Sequence, residues 1–172
     1  PRKFIHVFDS MSASVGETLV SLRIFDLAKR NLQRQEIIEK VNEYIRGMKT
    51  FFLLDSMDNL VKSGRMSKAV SKLISVLSLR LVMGSDGQGN IKLFAKARGA
   101  QRALGKLIDM VEEHGERLED RILGIAHCNC REKAEKIKEE VLKRFRFKDV
   151  IIVEMAGVAA VYANEGGVVI AF

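Results

Sequence analysis

The chain has 172 residues, 47% of them hydrophobic and 30% charged, which suits one core or two small lobes and excludes a disordered chain. Its formal net charge of +7 points to an acidic partner, a phosphate-bearing ligand or nucleic acid, but with no Trp, two Tyr and nine scattered Phe the stacking platforms of a single-strand binder are missing. No run approaches the roughly 18 consecutive apolar residues of a membrane span, and no charged-then-apolar signal segment opens the chain.

From Phe4 to Phe8 an apolar run ends in Asp9 and a serine-rich stretch, DSMSASVG, which predicts a strand feeding a polar loop. His6 then reads as a sheet histidine. The chain opens at Pro1, without a Met and almost at once on this strand, so a fragment lacking an N-terminal lobe is the expectation. Helical spacing predicts two helices, over Val15–Lys29 and Gln33–Met48. A strand at Phe51–Leu54 and a short helix ending at Ser63, capped by Asp55 with Ser56, come next.

The stretch LVKSGRMSKAV places Arg65 between a glycine and a capping serine. Gly64 permits backbone that other residues resist, and Ser67 caps a helix predicted over Ser67–Leu77, so an anion beside Arg65 would meet both a guanidinium and a helix start. The plainer alternative is a helical corner with a solvated arginine. Strands at Leu79–Met83 and Ile91–Ala95 flank SDGQGN, a strong hairpin signal. Lys92, Lys96, Arg98, Arg102 and Lys106 form a basic cluster, and a lobe junction is expected near Arg98 and Gly99.

Beyond Gly99 a helix at Ala100–His114, a strand at Arg121–His127, a helix at Arg131–Phe145 and a strand at Val150–Met155 predict a βαβ unit with a parallel pair. His114 suits the negative end of its helix. Val168–Phe172 is the final strand. The fold class expected is α/β with a mixed sheet and flanking helices. Cys128 and Cys130, beside His127, suit neither a disulfide framework nor a tetrahedral zinc site, so a reducing, cytoplasmic compartment is expected and no metal. The seven Met read as core fillers.

DSMSASVG at Asp9–Gly16, LDSMDNLVKSGRMSKA at Leu54–Ala69, LSLRLVM at Leu77–Met83 and KARGAQRA at Lys96–Ala103 occur in an order that resembles the C-terminal two-thirds of the DegV family of bacterial fatty-acid-binding proteins. The family usually has Gly-Gly before its arginine, where this chain has Ser63 and Gly64, and Lys-Pro where it has Arg80 and Leu81. Tyr162 falls where the family's H-x-G-P-G has a histidine that reaches the ligand carboxylate, and the rest reads Ala163, Asn164, Glu165, Gly166, which brings a glutamate close to that point. A tyrosine hydroxyl donates a hydrogen bond but brings no positive charge. The family's upstream serine and threonine contacts to the carboxylate have no counterpart here.

The resemblance implies a carrier that binds a long-chain fatty acid and presents its carboxylate to a separate fatty-acid kinase. Arg65 would hold the acid, with Ser67 and Tyr162 beside it. Ser10, Ser12 and Ser14 either line the cleft or satisfy loop amides, Met11 touches the acyl tail, and Arg98 lies near the ligand mouth and partner surface or is simply solvated. No phosphate-binding G-x-x-x-x-G-K-[ST] run and no nucleophile–base pair is present, so no enzyme activity and no cofactor are expected. A regulatory module that kept the fold and lost the ligand is the alternative.

Overall fold

The computed structural model of the chain describes residues 4–66 and 79–172. Two helices come first, α1 (Val15–Ala28) and α2 (Arg34–Gly47), packed on each other. Strand β1 (Thr50–Leu53) and the short α3 (Asp58–Lys62) follow, with Ser56 Oγ accepting from the Asp58 amide at 3.2 Å. Ser67 and the expected helix Ser67–Leu77 lie outside the described residues. The hairpin is present as β2 (Leu79–Ser85) and β3 (Ile91–Arg98). After it come α4 (Ala100–His114), β4 (Ile122–His127), α5 (Arg131–Arg144), β5 (Asp149–Glu154), α6 (Gly157–Ala163) and β6 (Val168–Ala171).

The six strands form one mixed sheet in the order β3-β2-β1-β6-β4-β5. Its parallel pair is β4–β5, as the βαβ pattern predicts, while β6 runs antiparallel to both β1 and β4. α4 packs on β1, β2 and β3, and α5 on β4 and β5. The core on that side includes Phe51, Leu53, Val82, Leu107, Ile125 and Ile137. α1 packs on β4 and β6 across the other face. There the core is rich in sulfur: Met48, Met57, Met66, Met83 and Met155, five of the chain's seven Met, all belong to it.

Three expectations change. Residues Phe4–Phe8 form no strand: Phe4, Ile5 and Val7 are exposed, and among the described residues no sheet edge pairs with them. An apolar run becomes a strand only where a neighbour supplies ladder hydrogen bonds. His6 is accordingly not a sheet histidine but an exposed ring between Phe4 and Phe8. Arg98 and Gly99 fall between two contiguous blocks of strands, β3-β2-β1 and β6-β4-β5, which the β1–β6 pairing joins into one continuous sheet rather than two. Finally, α6 forms between β5 and β6, where the sequence reading places no element.

Candidate functional site

Gly64 answers why the Arg65 turn has its sequence. Its φ of +74° is left-handed, the Arg65 amide donates to Leu60 O at 2.9 Å and the Gly64 amide to Val61 O at 3.0 Å. This pair of bonds is a Schellman closure of α3, in which glycine takes the left-handed position at no steric cost. The turn buries Met66 against Leu60 on the methionine-rich face and leaves Arg65 exposed.

The guanidinium of Arg65 turns toward α6. Its Nη1 donates to Tyr162 Oη at 2.6 Å, and its central carbon lies 4.7 Å from the centre of the tyrosine ring. Two residues 97 apart in the chain are thus brought into one anion-ready pair, with a cation and a hydroxyl side by side. Among the described residues no carboxylate pairs with Arg65. A second link joins the same helices: Asn59 Nδ2 donates to Val161 O at 2.5 Å and to Asn164 Oδ1 at 3.0 Å. Asn59 is a site neighbour that sequence reasoning missed, and nothing in its local pattern announces a partner 105 residues away.

Just behind this pair, Asp55 Oδ1 accepts from Arg80 Nη1 at 2.6 Å and lies 3.6 Å from Lys133 Nζ, which also donates to Gly166 O at 2.6 Å. Gly166 has φ +82° and abuts the Asp55 carboxylate, so a Cβ there would collide with it. The two cations sharing Asp55 are therefore committed to a carboxylate, while among the described residues Arg65 has none.

The serine loop lies elsewhere. Ser10 Oγ donates to Ser12 O at 3.2 Å and accepts from the Ser12 amide at 3.3 Å, and Ser12 Oγ is 2.7 Å from Thr50 Oγ1. Ser14 sits at the start of α1 with no side-chain cap bond, and Met11 lies against Gly89 in the hairpin turn while its carbonyl accepts from Ser85 Oγ at 2.9 Å. Ser85 and Arg80 are the two ends of this span of β2, five residues or about 17 Å apart at a strand's rise. The fold does not bring Ser10, Met11, Ser12 and Ser14 to Arg65; it sets them at the opposite end of the sheet. Between the two ends Leu81, Met83 and Phe52 form an apolar strip on the methionine-rich face.

Arg98 is at the Arg65 end: it pairs across the sheet with Leu79, on the exposed edge strand β3. Lys92, Lys96 and Arg102 are likewise exposed, and Lys106 is paired with Asp109 at 3.2 Å. A cleft of about 530 Å³ lined by Gly115, Arg117, Leu118, Arg144, Phe145 and Arg146 is remote from Tyr162. Its arginines are largely spent internally, Arg117 on Asp120 and Arg144 on Asp109 and Glu112, which makes it the weaker anion site. Among the described residues no helix is long and apolar enough to cross a membrane, and no cluster of His, Cys, Asp and Glu could hold a metal.

Comparison with known proteins agrees with the fold. A DegV-domain protein of Streptococcus pyogenes serotype M1 is 30% identical over 176 residues, covering 100% of this chain and 61% of that protein. A DegV-family crystal structure from Ruminococcus gnavus, refined with vaccenic acid, superposes with a TM-score of 0.92 at 39% identity, over 99% of this chain and 61% of that one. The Streptococcus pneumoniae Fatty Acid Kinase (Fak) B3 protein loaded with linoleic acid gives 0.89 at 29% identity, over 98% and 59%. This chain thus spans about three-fifths of the length of its relatives. The profile described as "Uncharacterised protein, DegV family" matches residues 1–172, and the chain belongs to the DegV family.

Proposed function

We propose that this chain is part of a carrier that binds one long-chain fatty acid and presents its carboxylate to a separate kinase. The observation that carries the reading is the Arg65–Tyr162 pair, a cation and a hydroxyl 2.6 Å apart at the rim of a methionine-rich apolar face. Burying a hydrocarbon tail contributes about 0.8 kcal/mol per methylene, and unbranched, polarisable Met side chains adapt to a flexible tail better than a rigid wall would. The head must remain ionised, and a guanidinium with an adjacent hydroxyl supplies charge-assisted donors for it.

In this arrangement Arg65 and Tyr162 hold the carboxylate, with Ser67 supplying a further donor. The tail runs past Leu81 and Met83 toward Met11, and the loop of Ser10, Ser12 and Ser14 closes the far end. Arg98, on the edge beside the head, faces the partner. Fatty acids bound to the Ruminococcus gnavus and Streptococcus pneumoniae relatives support the ligand class, and the latter protein's name supports the kinase partner. The role is transport without catalysis. Gentle extraction of the purified protein followed by mass spectrometry of its lipids tests it: about one acyl chain per protein is expected. Protein that emerges empty and fails to take up oleic acid would favour the regulatory module instead.

A further inference from the structure

Cys128 and Cys130 lie outside the head-group pair, yet both reach the segment that carries Tyr162. Cys128 Sγ is 4.0 Å from Ala160 O, and Cys130 Sγ 3.6 Å from Gly167 O, so the two thiols address the two ends of one stretch. Their backbone grips the same stretch: the Cys128 amide donates to Gly167 O and the Gly166 amide to Cys128 O, each at 2.9 Å. Between them Asn129 Nδ2 donates to Glu165 Oε1 at 3.1 Å. The loop 128–130 is therefore the clamp on α6 and its exit turn.

Both cysteines are free and half-buried, within reach of small oxidants. Two residues of fully extended chain span at most about 7 Å. Asn129, with φ +49°, bends the chain away from full extension, which brings the two Cα atoms toward the 4.4–6.8 Å window of a disulfide, roughly. Burial pushes the Cys130 thiol up, against the opposing charge of Lys133. Cys130, its Sγ held 3.6 Å from Gly167 O, is the resolving partner.

We propose that Cys128 and Cys130 form a thiol pair oxidised by hydroperoxides to an intrachain disulfide that releases the Tyr162 segment. Cys128 sulfur attacks the peroxide; the O–O bond breaks, an S–O bond forms, and the peroxide leaves as water or an alcohol. Cys130 sulfur then attacks the sulfenic sulfur, the S–S bond forms, and hydroxide departs with the Cys130 proton as water. Sulfur loses two electrons overall and the peroxide gains them. Both thiol contacts to Ala160 and Gly167 are lost, and the clamp around Asn129 is re-shaped. The effect on fatty-acid binding rests on the reading given under Proposed function; disulfide formation and release of the segment do not.

The test treats the chain with hydrogen peroxide at stoichiometric excess, alongside Cys128→Ser and Cys130→Ser variants. Tryptic digestion places both cysteines in the peptide Ile122–Arg131, which should become lighter by two hydrogens and resist alkylation until reduced. Hydrogen exchange by mass spectrometry should show Gly157–Gly167 exchanging at least about tenfold faster in the oxidised chain and unchanged in either peroxide-treated variant. Two free, alkylatable thiols after treatment would overturn the proposal, as would a disulfide that leaves exchange in this segment unaltered. Oleic acid retention is read in parallel. A reduced chain that binds no oleate defeats the carrier reading and leaves the thiol pair standing, whereas equal retention by reduced and oxidised chains severs the link between the two.

Discussion

Gly64 and Gly166 mark where single residues decide the local backbone. Gly64 has open space around it, so Gly64→Ala costs only the left-handed penalty of about 1 kcal/mol, visible as a lower urea midpoint with an unchanged slope. At Gly166 the same replacement also drives a methyl into the Asp55 carboxylate, and the loss should exceed that of Gly64→Ala clearly. Tyr162→Phe keeps the ring under Arg65 and removes the hydroxyl. Losing one hydrogen bond to a charged group is worth about 1.5–3 kcal/mol, so oleate binding should weaken by at least about tenfold with little change in melting temperature. Binding that stays at the parent value would show that the hydroxyl is idle. The Arg65 turn was legible from its glycine; Tyr162 was placed beside Arg65 only through the family resemblance, because hydrogen bonds across 97 residues leave no trace in local pattern.

Among the elements, the β2–β3 hairpin was the plainest in the sequence, and its turn shows why. Asp86 accepts from the Asn90 side chain and from the Gln88 and Asn90 amides, at 3.0, 2.7 and 3.0 Å. The Asn90 side-chain bond first, then the Gln88 amide, hold its carboxyl below the usual carboxylate range. A carboxyl depressed in the folded state stabilises the turn fully above its unfolded value of about 3.9 and loses that as pH falls through the folded value. An NMR titration from about pH 6 to about pH 2 should show Gly87 and Gly89 amide shifts following Asp86, with Asn90→Ala moving the midpoint up. A midpoint unmoved by Asn90→Ala would contradict this. The helix α6 was missed for the opposite reason. GVAAVYA is short and charge-free, and it has no amphipathic period to read; it is helical because Ala159, Ala160 and Ala163 pack on the methionine-rich core.

For the molecule as a whole, the strand that matters most is the last described one. β6 is buried along its length and hydrogen-bonds to β1 on one side and β4 on the other, so it joins the hairpin half to the βαβ half. Local pattern predicts that Val168–Phe172 is a strand but not that it enters mid-sheet, since strand order is set by non-local pairing. Ile170 is fully buried, and Ile170→Ala should cost about 2–5 kcal/mol while far-ultraviolet dichroism and tyrosine emission still report one shared transition. Two separate transitions would restore the lobe boundary expected at Arg98 and Gly99. At this scale the sheet also keeps two polar ends about 17 Å apart, and the carrier reading assigns the acid to only one of them. A crystal structure with oleic acid bound discriminates between them directly. The carboxylate should lie within hydrogen-bond distance of both Arg65 and Tyr162, with the tail running over Leu81 and Met83. A carboxylate seated on the Ser10–Ser12 loop, or in the Arg117 cleft, would contradict the assignment.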